Sequence, residues 1–323
     1  MSVELINPRN KQPLQRVGAD FFDLSGNKFP LVKGVLRISD ADNYTDSFGL
    51  QWNKFDKTQL DREEVGHTVS RQRFFAETHW DTQDLTGKNI LEVGSGAGRF
   101  SKVVLSSTSA TLYSIDYSDA VTANFKNNGS IAVNRFHLFQ GSIYEMPFPD
   151  DSFDKVFCLG VLQHTPNFSE SIKALISKAK PGGEIVVDFY PIKGWWTKIN
   201  AKYLLRPVFK SLDHSKLMQK IEANIDWLMK AEALLHRVGL GVLARFLPLV
   251  DINGTLPKYL SKVEKREWAI LDTFDMFSPE YDNPQRIDDV ADMFERHGAE
   301  VTFAGFEYFE GSSAAVVRGI KRA

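Results

Sequence analysis

One short stretch in the first third of the chain has the residue types and spacing for chemistry: Ile90-Leu91-Glu92-Val93-Gly94-Ser95-Gly96-Ala97-Gly98-Arg99-Phe100. An apolar run ends in an acid, Glu92, and a glycine-rich turn opens into a helical pattern. Glycine admits a left-handed backbone and lets a ligand approach with no Cβ in the way. The helix that follows aims its first N–H groups at whatever lies over the turn. This is the signature of a nucleotide-type cofactor site. A dinucleotide fingerprint reads G-x-G-x-x-G, and here Arg99 stands at the third glycine position.

The segments that follow keep an order. Thr111–Asp116 reads as a strand ending in an acid, about 20 residues beyond the turn, where a carboxylate accepts from ribose hydroxyls. Asp116-Tyr117-Ser118 also fits a helix cap. Gly141-Ser142-Ile143 follows a third strand, and Ser152 to His164 holds a fourth strand and its loop. Lys180-Pro181-Gly182-Gly183 makes the turn before a fifth. This set resembles class I S-adenosylmethionine-dependent methyltransferases, with Glu92 to Gly98 as the first motif. The resemblance implies a Rossmann-like α/β fold: a doubly wound seven-stranded sheet with an antiparallel last strand. It also implies S-adenosylmethionine as cofactor, held by Glu92, Gly94, Ser95, Gly96, Gly98, Asp116, Tyr117, Ser142, Ile143 and Leu159. Many relatives have Asp where this chain has Ser142, so a hydroxyl or the backbone takes that role here.

Methyl transfer requires alignment of acceptor, methyl carbon and sulfur, and a base where the acceptor keeps its proton. His164, in the loop after the fourth strand, is the candidate base or acceptor contact; it also fits a histidine bonding its own turn. Asp272, Asp275 and Tyr281 are acceptor candidates through hydroxyl hydrogen bonds, or else helix caps. Trp52 and Gln51, with Phe48, lie in a segment ahead of the core that in similar enzymes closes over the cofactor; packing on the sheet edge is the alternative.

The elements that position these residues divide the chain into five parts. Residues 1–40 hold short apolar runs broken by Pro and Gly, and resemble a Trm112-like, zinc-ribbon-like module. The metal-ligand positions of that module fall on Asn7, Asn10, Phe22 and Ser25, which offer no thiolate or imidazole, so no metal is expected. Phe21, Phe22, Phe29 and Leu31 are the expected apolar replacement. Residues 41–88 form the lid segment, 89–190 the cofactor core, 191–284 a helical insertion for acceptor recognition, and 285–323 the end of the core. In the insertion, residues 193–220 carry Lys193, Lys198, Lys202, Arg206, Lys210, Lys216 and Lys220 against one acid, Asp213, among aromatic residues. That pattern fits an anionic membrane surface or acceptor, or a helix packed on the core with solvated lysines.

Composition bounds the rest. The 323 residues are 43% hydrophobic and 25% charged, with formal net charge −2. That balance argues against a general nucleic-acid binder. The single cysteine, Cys158, excludes an internal disulfide and fits a reducing compartment. With no signal-peptide pattern, a cytoplasmic location is expected. The sequence therefore points to a methyltransferase acting on a small-molecule or sugar or glycan acceptor, as in glycan or secondary-metabolite biosynthesis. An RNA (tRNA) methyltransferase and a non-catalytic S-adenosylmethionine-binding module are the alternatives. Peripheral membrane contact is left open.

Overall fold

The computed structural model describes residues 3–39, 43–81, 83–257, 259–310 and 312–323, so the expected boundary at residue 40 lies outside the described residues. Near the N-terminus β1 (Gln15–Val17), β2 (Asp20–Phe22) and β3 (Lys28–Phe29) form a small antiparallel sheet. A hairpin, β4 (Leu31–Val32) and β5 (Val35–Arg37), follows, and then helices α1 (Asp46–Lys54) and α2 (Val69–Thr78). The core alternates β6 (Asn89–Val93), α3 (Arg99–Ser107), β7 (Thr111–Asp116), α4 (Val121–Asn128), β8 (Phe136–Gln140), β9 (Phe153–Cys158), α5 (Phe168–Lys178) and β10 (Ala179–Phe189). The insertion contributes α6 (Ala201–Phe209), α7 (His214–Arg237), α8 (Ile252–Thr255) and α9 (Lys262–Phe277). The chain returns to the sheet through α10 (Ile287–Arg296), β11 (Ala299–Phe309) and β12 (Ser312–Lys321).

The central sheet runs β11-β12-β10-β9-β6-β7-β8-β5-β4. Neighbours from β10 to β8 are parallel, and β12 is antiparallel to both β10 and β11. It has nine strands where seven were expected. The extra pair is the 31–37 hairpin, which docks when β5 pairs in parallel with β8, Leu36 opposite Phe139. Val35 and Leu36 are buried there, so covering the open sheet edge also buries apolar side chains. Part of the first 40 residues is thereby built into the main sheet. The Lys180–Gly183 turn is absorbed as a register slip in β10 between Ala179 and Glu184.

Each face of the sheet has its own core. Leu91, Val93, Val156, Val187 and Ile185 point to the face covered by α5 and α10, while Ile90, Leu112, Phe157 and Val186 meet α2 and α3. Period-two alternation along β6 explains the split. The insertion has a third core. Leu217, Ile221, Ile225 and Leu228, a stripe along α7, pack with Trp268, Leu271 and Phe274 of α9. The Ser261 hydroxyl accepts from the Glu264 N–H while Glu264 accepts from the Ser261 N–H, a capping box that starts α9.

In the N-terminal unit a carboxylate occupies the centre. Asp23 Oδ2 accepts from the side-chain amides of Asn7 (2.7 Å), Asn10 (2.8 Å) and Asn27 (2.7 Å), and Oδ1 from the N–H groups of Ser25 and Asn27 (both 2.9 Å). Desolvation alone would raise the Asp23 carboxyl, but these donors hold it well below the usual carboxylate range. The aromatic replacement expected for a metal is thus only part of the answer. Phe21, Phe29 and Leu31 are partly buried against the main core, and the polar hub ties the loops.

Candidate cofactor and acceptor site

At the carboxyl ends of β6, β7, β9 and β10 lies a chamber of about 740 Å³, roofed by α1 and the insertion. Its floor is the glycine turn. Gly94 has φ +83°, and a Cβ there would stand 2.3 Å from Val161. Gly96 has φ +51° and lies under the Trp52 indole, whose Nε1 would be 3.3 Å from an added Cβ. At Gly94 and Gly96 the positive φ and the close neighbours favour glycine over any side chain. Asp116, at the end of β7, accepts from the Gly96 N–H (2.8 Å) and from the Ser118 N–H and hydroxyl (2.8 and 2.6 Å). Each carboxylate oxygen has two lone-pair sites, which leaves acceptor capacity facing the chamber. Burial raises the Asp116 carboxyl, and these donors partly offset it. Tyr117, Ser95, Ile143 and Leu159 also line the chamber.

Three expected cofactor residues sit elsewhere. Glu92 lies below the floor, where it accepts from the hydroxyls of Ser101 and Ser114. Strand alternation turns its side chain away from Val93, which does line the chamber. Burial pushes the Glu92 carboxyl up to about 7, against the lowering effect of the two hydroxyls. Gly98 makes room for α4, since a Cβ there would lie 2.2 Å from Asn124 and Asn128. The Ser142 hydroxyl accepts from the Tyr144 N–H at 3.2 Å and so closes its own turn.

The other wall is built from side chains. His164 is buried, with Phe48 (ring centroids 5.2 Å apart) and Tyr190 (5.6 Å) against it. Its Nδ1 lies 3.0 Å from the Tyr281 carbonyl oxygen. A carbonyl only accepts, so Nδ1 carries the proton and Nε2 keeps a lone pair. Asp275 Oδ2 is 4.0 Å from Nε2 and accepts from the Tyr190 hydroxyl at 3.1 Å. Burial lowers the His164 pKa more than Asp275 and the Tyr281 carbonyl raise it, which keeps the ring neutral at pH 7. Asp272 and Asp275 stand three residues apart inside α9, both lining the chamber. They are not helix caps. Burial pushes the Asp272 carboxyl up to about 7. Tyr281 contributes its carbonyl, and its ring meets Tyr44 edge-on at 5.2 Å.

Arg73, Asp188 and Gln163 also line the chamber and were not among the expected site residues, whereas Gln51 was. Arg73 pairs with Glu77 (2.7 Å) and Asp188, and Asp188 also accepts from the Gly160 N–H. On sequence Arg73 and Glu77 form an ordinary exposed i,i+4 pair. Asp188, an acid near a strand end like Asp116, was the available clue. The side-chain amides of Gln51 and Gln163 are fully buried, line the chamber, and find no hydrogen-bond partner among the described residues. Buried amides are normally satisfied, and both of these are available to hydrogen-bond a molecule in the chamber. The orphan Gln51 amide, the Asp116 acceptor capacity and the side-chain-free glycine turn together fit a nucleoside-bearing cofactor such as S-adenosylmethionine.

Two members of the expected basic stripe, Lys202 and Arg206, turn inward, while Lys193, Lys198, Lys210, Lys216 and Lys220 stay exposed. Lys202 pairs with Asp282 (2.9 Å), Lys210 with Glu280 (2.8 Å), and Arg206 donates to the carbonyls of Met276 and Pro279. Among the described residues no helix is long and apolar enough to cross a membrane.

Comparison with known proteins agrees with this geometry. Residues 91–187 match the family described as "Methyltransferase domain". The chain is similar to the tRNA U34 carboxymethyltransferase of Nautilia profundicola, 26% identical over 231 residues, 71% of this chain and 66% of that protein. It is also similar to the protein of the same name from Idiomarina loihiensis, 30% identical over 208 residues, 56% of this chain and 61% of that one. A ubiquinone biosynthesis O-methyltransferase of Pseudomonas fluorescens is 30% identical over 130 residues, 38% of this chain and 54% of that protein. The chain thus spans at most about two thirds of these relatives' own lengths.

Proposed function

We propose that the chain, whose residues 91–187 match a methyltransferase domain, transfers a methyl group from S-adenosylmethionine to an acceptor hydroxyl held beside His164. The observation that carries this reading is the His164 Nδ1 contact with the Tyr281 carbonyl, which leaves Nε2 as the acceptor of a proton. Asp116 holds the ribose hydroxyls, Ile143 and Leu159 flank the adenine, and Gln51 and Trp52 close over the cofactor. S-adenosylmethionine supplies a methyl carbon already activated by its sulfonium. His164 Nε2 takes the proton of the acceptor hydroxyl as that oxygen becomes nucleophilic, and Asp275 steadies the imidazolium. The amide of Gln163 and the carboxyl groups of Asp272 and Asp275 suit a polyol, since they offer partners to its hydroxyls.

A second reading, a tRNA acceptor, is favoured by one specific observation, the names of the two tRNA U34 carboxymethyltransferases. Those names weigh against the sequence-based expectation that nucleic acid is an improbable partner. One experiment separates the readings. The chain is incubated with methyl-labelled S-adenosylmethionine and, in parallel, with tRNA and with a polar glycan extract. Label in the extract that is lost in His164→Ala supports the hydroxyl acceptor. Ribonuclease-sensitive label on tRNA replaces it with the second reading.

A further inference from the structure

Two segments of the insertion, residues 192–212 and 233–250, contain no Asp or Glu. Both leave large apolar side chains in water. Trp195 is 81% exposed and Val242 78% exposed, and Trp196 and Phe246 are about half exposed. The exposed turns Trp195–Lys198 and Gly241–Phe246 are joined by the Arg245 guanidinium, which donates to the Trp196 carbonyl at 2.9 Å. Beside them α6 exposes Leu204 and Val208, one helical turn apart, while its Arg206 faces inward. The cations on this side with no acidic partner among the described residues, Lys193, Lys198 and Arg237, are exposed as well. Lys193, Trp196 and Thr197 also line the chamber, so this surface borders its mouth.

We propose that this face lies on an anionic phospholipid surface, with Trp195, Val242 and Phe246 in the interface and the chamber mouth turned toward the lipid. Indole and aliphatic side chains flanked by cations and free of acids are what an anionic interface selects. An RNA would be met by cations among polar groups, and Leu204, Val208 and Val242 offer a phosphate backbone nothing. A membrane-facing mouth would deliver an amphiphilic acceptor directly. The docking itself stands on the exposed surface and does not depend on the transfer reaction.

The test is sedimentation of the full chain with vesicles of phosphatidylcholine alone and with a quarter phosphatidylglycerol, read also by the tryptophan emission maximum. Binding is expected only to the anionic vesicles, with a blue shift, and it should weaken at least tenfold in 0.5 M salt. Trp195→Ala with Val242→Ser should lower it at least tenfold, and Lys198→Glu several-fold. S-adenosylmethionine affinity, measured alongside, should be unchanged in both variants and certifies folding. No binding to either vesicle overturns the proposal. So does tRNA binding that the same substitutions abolish, or a concentration-dependent dimer that they dissociate.

Discussion

The floor and the roof of the chamber are made in different ways. The floor is backbone: a glycine turn at positive φ, strand ends, and one carboxylate fastened by the Gly96 and Ser118 N–H groups. The roof is side chains, most of them carried on helices with their own apolar core, Leu217, Ile225, Leu228, Trp268 and Phe274, and joined by His164 from the loop after β9. A backbone floor admits one kind of ligand, because its donors and acceptors do not vary with side-chain identity. A side-chain roof can be retuned residue by residue. The difference places cofactor choice in the floor and acceptor choice in the roof, and substitutions on either side should separate the two.

The largest separation is expected from His164→Ala. Removing a general base costs about 10²–10⁴-fold in kcat, and the floor should bind cofactor as before. The neutral ring is the active form and burial lowers its pKa below 6.5. The rate should therefore be full above that pKa and fall as pH drops through it, with an acid inflection below 6.5 in the pH–rate profile. Phe274→Ala acts on the roof alone. Loss of a fully buried aromatic costs about 3–5 kcal/mol. Hydrogen exchange should speed up in α7 and α9 while β6 and β7 stay protected; equal loosening of the two regions would remove the division. Asp272→Asn gives the smallest of these effects and of opposite sign. The native carboxyl is raised to about 7 by burial. A raised carboxyl binds its proton more tightly folded than unfolded, so stability is greatest at low pH and is lost as pH rises through about 7. The Asn variant should match the parent near pH 4 and gain on it progressively as pH rises toward about 7, with no further gain beyond, read as the midpoint of urea unfolding.

The same contrast explains what the sequence made legible. Strand ends, glycines and their spacing are local features, so β6 to β10, Asp116 and the turn could be placed from the residues alone. Contacts across the fold are not. Nothing near Arg73 announces Asp188, 115 residues on. Nothing in Tyr281 announces that its carbonyl, rather than its hydroxyl, orients His164. Glu92 was misplaced because its face of β6 depends on register, and one residue of alternation separates chamber from core. Asp23 was missed because attention to ligand positions passed over the residue that joins them. The hairpin that widens the sheet was missed because strands of two and three residues give too short a pattern to read.

Calorimetry of S-adenosylmethionine binding to the parent chain, Asp116→Ala and His164→Ala tests the division of floor from roof most directly. Losing a charged partner to the ribose hydroxyls costs about 1.5–3 kcal/mol, roughly 10–150-fold in affinity. The expected result is one cofactor per chain in the parent, that loss in Asp116→Ala, and no change in His164→Ala. Equal affinity in Asp116→Ala, or an equal loss in His164→Ala, would contradict a cofactor site built from the floor.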